Sequence, residues 1–409
     1  MTERSRTVNE TGQFKRGSSL TTIPSNAAAD EERKRGFAPK SLSRFAIDIV
    51  ESAAAFVMLR DEWNELLSRS RSDCLFLTWE WLHTWWKYLG QNTRLHIITV
   101  RAGGRLMAIA PLTLTRAGVG VLGVPMLEFA GTGIIGSDYL DFIVSEESEA
   151  VLIDVLASFI AQQGQSVRLH RVSKESAVAH AVCRRLVDHG WQCLEVPTDV
   201  SPFIDLSGQS WEDYLSARRH KHRSNFRRSW RNLNKRFAVR VQWADSESAR
   251  RIGLHHVVDL HVRRWSGRAS SNAFDSTTVL DFHDEVSRLA DACGWLRLLT
   301  LTLDDKPACA FYGFRYGPRF YFYQSGFDPM FYDYSVGLVT VGLTIQEAIR
   351  EGASEYDFLH GNETYKSRWA TQVRQLVRLE LYPPGRIGFI HRNVARALGA
   401  TKKLAERVR

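Results

Sequence analysis

The chain has 409 residues, 44% of them hydrophobic, which supports packed cores over one to three domains and excludes a wholly disordered protein. Its 54 Lys and Arg against 45 Asp and Glu give a net charge of +9. That balance favours anionic partners (phosphorylated donors, nucleotide-linked sugars, anionic membrane surfaces or RNA) and is equally met by a basic soluble protein.

The cysteines Cys74, Cys183, Cys193, Cys293 and Cys309 lie among apolar residues with no Cys-x-x-Cys spacing, and are read as buried free thiols. Neither His-Glu-x-x-His nor a Cys/His ligand set occurs, so no metal is expected. No apolar run reaches transmembrane length, and the polar N-terminus lacks a signal-peptide core, so the expected location is cytoplasmic.

Residues 1–43 are polar and aperiodic and are expected to be disordered. A first globular unit is read over residues 44–209. Alternation at Phe45, Ile47 and Ile49 predicts a strand, and helices follow from Asp61 and from about Thr78, the latter rich in tryptophan. Strands are predicted over 95–101 and 105–115, joined by a turn at Gly103-Gly104, and over 119–129. The run Gly131-Thr132-Gly133-Ile134-Ile135-Gly136 follows a strand, but the next helix signal begins only near Glu147, so a surface loop is favoured over a phosphate loop. A helix over 147–163, a strand over 167–172, a helix over 177–189 and strands near 191–196 and 203–206 complete the unit.

Ser210-Trp211-Glu212-Asp213 is a capping-box start, and one helix is predicted from there to about Phe237. It forms the core of a basic connecting segment, residues 210–240. Trp211, Leu215, Phe226, Trp230, Leu233 and Phe237 form its apolar stripe, and its other faces carry a run of Lys and Arg that includes Arg227, Arg228 and Arg231. No acid follows Asp213 to pair them, which points to an anionic partner. The alternative is a solvated linker helix.

Residues 241–385 repeat the first unit's order: helices over 247–265 and 277–292, then strands over 295–303, 308–316 and 319–324. Ser335 is expected to cap a helix reaching about Glu351, Glu355 to Leu359 form a strand, and 374–382 a late one. Residues 386–409 read as a basic helix, docked on the domain or adsorbed to a membrane surface. The fold class is α/β of the α+β type, with two tandem mixed-sheet domains.

The ordered set Tyr323-Gln324-Ser325-Gly326-Phe327-Asp328-Pro329, Tyr334-Ser335-Val336-Gly337, Tyr356-Asp357-Phe358-Leu359-His360-Gly361 and Glu363-x-Tyr365-Lys366-x-x-Trp369 resembles GNAT-like acetyltransferases of the CelD/BcsL (BioF2-like) type, relatives of the FemABX aminoacyltransferases. Two features depart from the pattern: Ser-Val-Gly stands where Ser-Pro-Gly is common, and the Gln/Arg-x-x-Gly-x-Gly/Ala signature of ordinary GNAT enzymes is missing. The resemblance implies two GNAT-like domains, the second keeping the donor site, and an acyltransferase using acetyl-CoA or another acyl-CoA on a sugar, a polysaccharide precursor or a related metabolite. Its FemABX side implies an alternative, aminoacyl-tRNA as donor and a peptidoglycan precursor as acceptor.

Acyl transfer needs both reactants oriented, a proton taken and an oxyanion stabilised. Strand-end amides at Gln324, Ser325, Gly326 and Phe327 are candidates to polarise the carbonyl. Ser335, Val336, Gly337 and Leu338 open a helix and are candidates to hold a pyrophosphate. Asp357 and Glu363 are the candidate bases, with His360 behind them. Tyr365 is a candidate to protonate the leaving thiolate, and Lys366 to hold a phosphate or the developing charge. Trp265, Tyr334, His360, Trp369, Arg227, Arg228 and Arg231 are candidates for acceptor binding. Plainer readings stand beside these: Asp357 buried as a structural group, Glu363 and Lys366 as an ion pair three residues apart.

Overall fold

The computed structural model describes residues 21–22, 44–117, 124–265, 274, 276–386 and 388–393. The basic tail helix expected over 386–409 and the N-terminal segment 1–43 lie largely outside them. In the first half the elements are β1 (Thr21–Thr22), β2 (Phe45–Val50), α1 (Ala53–Met58), α2 (Arg60–Leu67), α3 (Trp79–Leu89), β3 (Arg94–Ala102), β4 (Arg105–Ala117), β5 (Val124–Phe129), β6 (Ile143–Val144), α4 (Glu149–Gln163), β7 (Ser166–Ser173), α5 (Ala177–Asp188) and β8 (Gln192–Asp205). The second half holds α6 (Trp211–Ser216), α7 (His220–Arg236), β9 (Val239–Trp243), α8 (Glu247–Trp265), α9 (Thr277–Ala292), β10 (Leu296–Leu303), β11 (Lys306–Tyr316), β12 (Arg319–Phe327), α10 (Val336–Arg350), β13 (Glu355–Asp357), α11 (Thr364–Trp369) and β14 (Gln372–Tyr382).

The apolar runs pair into one mixed sheet, in the order β2-β3-β4-β5-β7-β14-β8-β13-β12-β11-β10-β9. Tight hairpins join neighbours. Gly103 and Gly104 both have positive φ between β3 and β4, and Asp304 and Asp305 do the same between β10 and β11, the backbone sense that matches strand twist. Each half has one crossover between parallel strands, β5-α4-β7 and β12-α10-β13. The halves interlock by exchange. The last strand, β14, inserts between β7 and β8, and β8 reaches across to pair with β13 at Phe203↔Asp357.

Large rings fill the interior. Trp63, Trp81 and Trp369 are each almost wholly buried, and Trp63 and Trp81 satisfy their indole N–H on Leu77 O and Ser137 Oγ. Of the five cysteines four are buried, but Cys293, at the C-terminal cap of α9, is exposed, because the helix ends there beside Gly294. Among the described residues no helix is long and apolar enough to cross a membrane.

Two elements differ from expectation. The strands read near 191–196 and 203–206 are one strand, β8. The helix read from Ser210 to Phe237 is broken at residues 217–219. The capping box at Ser210 and Asp213 forms, yet Arg219 turns extended before α7 restarts. Tertiary contacts override the continuous periodicity. Tyr214 Oη and the Arg218 guanidinium both donate to Trp369 O, while Phe226 and Leu233 turn α7 onto the core.

Candidate active site

The site begins where β12 and β13 part. They pair only at Arg319↔Glu355, Phe320↔Tyr356 and Tyr321↔Asp357. Beyond Tyr321, β12 keeps β11 on one edge, so alternate main-chain groups of residues 322–327 face an open gap. A bulge opposite Tyr312 and Gly313 drops Tyr323 from the register and re-aims the strand at this point.

On one side of the gap stands the first turn of α10. Ser335 precedes it in the left-handed conformation (φ 56°, ψ 39°) and makes no side-chain cap, contrary to the expected capping role. Ser335 also ends the short helix over Pro329–Tyr334, its main-chain N–H donating to Tyr332 O, so one left-handed residue closes that helix and opens α10. The first-turn amides are left without a side-chain acceptor, and no acid stands among them. They border a cavity of about 290 Å³ whose wall includes Ser325, Phe327, residues 335–338, Arg264 and Arg368. A helix terminus and two guanidinium groups thus face the same space, a setting for an anion.

On the other side lies a second cavity of about 270 Å³. Phe274, Phe322, Tyr323 and Phe358 give it an aromatic lining, and His283, Gln324, His360, Glu363 and Lys366 supply its polar groups. Phe322 and Tyr365 line both cavities, so these two rings form the wall that the cavities share. Burial pushes the Tyr365 phenol above the ordinary range, so it remains a hydrogen-bond donor at neutral pH.

The loop over residues 131–136, expected at the surface, forms part of this second cavity's wall through Ile134, Ile135 and Gly136. It is drawn inward because the buried Trp81 indole donates to Ser137 Oγ. The next residue, Asp138, is fully buried and accepts both the main-chain N–H of His360 (2.7 Å) and its Nδ1, 3.0 Å from Oδ1 and 3.1 Å from Oδ2. Burial would raise the Asp138 carboxyl, but His360 and Arg171 outweigh it and hold the group below its usual range. His283 is also buried, its Nδ1 has no partner among the described residues, and burial lowers it to about 3, so it is neutral.

The expected site residues divide. Ser325, Phe327, Ser335, Val336, Gly337, Leu338, Tyr365 and Trp369 meet at the first cavity, and Gln324, His360, Glu363, Tyr365 and Lys366 at the second. Gly326 is committed elsewhere: a Cβ there would lie 2.2 Å from the His261 main-chain nitrogen, so the glycine lets α8 pack on β12. Asp357 is wholly buried and lines neither cavity. It accepts from Tyr139 Oη (2.7 Å), Leu359 N (2.7 Å) and Arg374 (3.3 Å). Burial and Glu355 raise it to about 6, against Arg374 and Tyr139. The Lys366 ammonium is buried and taken up by His360 O (2.6 Å), Leu359 O (3.4 Å) and Glu363 (3.0 Å). Trp265 and Tyr334 lie outside both linings; Tyr334 packs on Phe237. Arg227 and Arg231 border a separate groove of about 480 Å³ with Trp211 and Trp230, and Arg228 bonds Asn225. Sequence reasoning missed Asp138, His283, Arg264 and Arg368, and the glycine-rich loop was the one local signal that pointed near Asp138.

Residues 220–367 match a family model described as Acetyltransferase (GNAT) domain. No curated protein sequence matches the chain. Solved structures with a similar fold include FemX, at 10% identity over 78% of this chain and 95% of that one, with a TM-score of 0.55. A conserved protein of unknown function from Bacteroides thetaiotaomicron VPI-5482 is similar at 12% identity, 82% and 100% coverage and a TM-score of 0.51. So is the C-terminal domain of a putative lysylphosphatidylglycerol synthetase from Agrobacterium fabrum, at 12%, 85% and 97% coverage, and 0.50. The matched segment contains the β12-α10-β13 crossover and the residues that line its cavities apart from Ile134, Ile135, Gly136, Arg368 and Trp369, and the chain is an acyltransferase of mixed α/β GNAT fold.

Proposed function

We propose that the chain is a cytoplasmic acyl-CoA-dependent N- or O-acyltransferase of the CelD/BcsL type, with acetyl-CoA as the first donor to test and a sugar, polysaccharide precursor or related metabolite as acceptor. One observation carries this reading: a helix first turn without an acid or a side-chain cap borders a cavity that shares Phe322 and Tyr365 with a second, aromatic cavity. The pyrophosphate lies at residues 336–338 with Arg264 and Arg368 beside it, where partial and full positive charge converge. The pantetheine arm runs along the free edge of β12, whose alternate, outward-facing amides within residues 324–327 are placed for its carbonyl groups and for the oxyanion once the Ser325 N–H is released from Gln324 Oε1, to which it donates at 3.1 Å. The thioester reaches Tyr365, and the acceptor attacks from the aromatic cavity. The phenol, still protonated, donates a hydrogen bond to the departing thiolate.

A second reading, an aminoacyl-tRNA-dependent transferase acting on a peptidoglycan precursor, is favoured by α7. It carries Lys221, Arg223, Arg227, Arg228, Arg231, Lys235 and Arg236 and no acid over 17 residues. Calorimetric titration with CoA, acetyl-CoA and deacylated tRNA separates the two. Saturable CoA binding with no tRNA binding at about 150 mM salt is expected; tight tRNA binding with none of CoA would reverse the order.

A further inference from the structure

We propose that His360 is the general base of this acyl transfer and that Asp138, from the other half of the chain, is the residue that positions it. The inference rests on the acyl-transfer reading above and adds the proton acceptor that it lacks.

The geometry is specific. A carboxylate only accepts, so the contact of Asp138 with His360 Nδ1 places the imidazole proton on that nitrogen. The same carboxylate takes the His360 main-chain N–H, so backbone and ring are held from one point. Nε2 is then the bare nitrogen. It makes no hydrogen bond among the described residues, and the ring lines the aromatic cavity. Gly136 leaves room for the ring, since a Cβ there would come 2.8 Å from His360 Cε1. The loop carrying Asp138 is fixed on both flanks: Ser137 by the Trp81 indole, and Tyr139, in the left-handed region at φ 60°, by its hydroxyl on Asp357. Backbone held in that region beside a cleft is the kind of local strain that persists where the surroundings impose it.

The competing bases are each committed or mismatched. Asp357 is saturated and outside the cavity. Glu363 lines it, but its carboxylate is half-exposed and paired with Lys366 at 3.0 Å. His283 is in the wall but held neutral by burial that lowers it to about 3, which makes it a weak proton acceptor.

In the step itself, the acceptor oxygen or nitrogen attacks the thioester carbon and passes its proton to His360 Nε2. The C–S bond then breaks, and the thiolate takes up a proton from the imidazolium. The overall exchange is acyl-S-CoA plus H-X-R giving acyl-X-R plus CoA-SH, with no oxidant or other co-reactant.

The test reads the histidine directly. In protein labelled with ¹⁵N-histidine, His360 is assigned by the disappearance of its signals in His360→Gln, and long-range couplings report its tautomer. Wild type is expected with Nδ1 protonated and Nε2 bare; Asp138→Asn, whose amide can donate, moves the proton to Nε2. Alongside, hydrolysis of acetyl-CoA is read as thiol release, with water standing in for the acceptor. His360→Gln is expected to lower kcat on the order of 100-fold with CoA affinity within about twofold, and Asp138→Asn to lower it through the tautomer with KM little changed. A merely structural Asp138 would shift the melting temperature and leave the tautomer alone. Protonated Nε2 in wild type, an unchanged tautomer in Asp138→Asn, or full thiol release by His360→Gln each overturns the proposal. Absence of CoA binding to wild type overturns the donor reading instead, and the tautomer still decides whether Asp138 sets His360.

Discussion

Strand, helix and parallel strand follow one another twice in this chain, as β5-α4-β7 and as β12-α10-β13, and each strand pair shares only three registered residues. At the first crossover Glu146, Glu147 and Glu149 stand at the entrance to α4, where Glu147 pairs with Arg69 and Arg105 and Glu149 with Arg71. Across its strands Glu128 faces Arg168 and His170. A phosphate arriving there would meet three carboxylates. At the second crossover the first turn of α10 has no acid, and Arg264 and Arg368 border the adjoining cavity. The order of elements is therefore insufficient to make an anion site; the side chains of the first helical turn decide it.

The most severe way to break the open crossover is to deny β12 its close approach to α8. In Gly326→Ala the new Cβ meets the His261 nitrogen at 2.2 Å and the Leu260 carbonyl carbon at 2.5 Å, main-chain atoms that cannot swing aside. A destabilisation of more than about 3 kcal/mol, or failure to fold, is expected in urea unfolding. A normally stable variant would mean that this wall of the cavity is adaptable.

Next in size is Gly337→Glu, which gives the open crossover the charge of the closed one. A Cβ at Gly337 lies an ordinary 3.7 Å from Phe327 Cδ1, so the fold tolerates it. Circular dichroism should be unchanged, while CoA affinity measured by calorimetry falls on the order of 100-fold, about 2.7 kcal/mol. Normal CoA binding by this folded variant would remove the donor from the first turn of α10.

How far this difference is readable in the sequence follows from the range of each interaction. The helices over 247–265 and 277–292, the hairpin at Gly103-Gly104 and the strand-loop-helix run from Arg319 are local patterns of apolar spacing and turn residues, and they stand where the periodicity puts them. The left-handed Ser335 is also local, but Ser, Thr, Asp and Asn before a helix ordinarily signal a side-chain cap, so its residue type points to the commoner geometry. The break at residues 217–219 comes from Trp369 and Ala370, more than 150 positions away, and the exchange of β8 and β14 is likewise a matter of distant partners. Asp138 and His360 are separated by 222 positions, and no periodicity links them. Lys366 is legible as a cation near the site. Its hold on the His360 and Leu359 carbonyls depends on the loop's own path, including Leu359 at φ 58°.

The closed half also keeps a carboxylate inside. Asp141 is pushed up to about 6 by burial, against hydrogen bonds from Ser176 and the Phe142 amide. Because its folded pKa is raised, the fold binds more protons than the unfolded chain between about pH 4 and 6. Its contribution to stability therefore declines as pH rises through that window and is level above it. Asp141→Asn removes this slope. Relative to wild type, the variant should gain on the order of 2 kcal/mol between about pH 4 and pH 7 in denaturant midpoints, whatever constant offset the amide brings. Asp357, raised to a similar value, is present in both proteins and cancels. A pH-independent difference would show that Asp141 titrates in its ordinary range.

The smallest effect on stability, and the one that separates the two donor readings, is expected on α7. Arg227, Arg228 and Arg231 are exposed, and among the described residues only Arg227 of the three pairs with a carboxylate, Glu212 at 2.7 Å. Replacing all three with Gln should change stability by less than about 0.5 kcal/mol, since exposed ion pairs contribute little. CoA affinity should also hold, because the groove bordered by Arg227 and Arg231 is distinct from the donor cavity. If α7 carries RNA, the triple variant should bind tRNA more weakly, and the slope of log affinity against log salt should flatten by roughly one for each phosphate that is no longer neutralised. That result would join the basic helix to the open crossover as parts of one binding surface. An unchanged slope would leave α7 as a charged face with no part in donor binding, and the acyl-CoA reading would stand on the first turn of α10 alone.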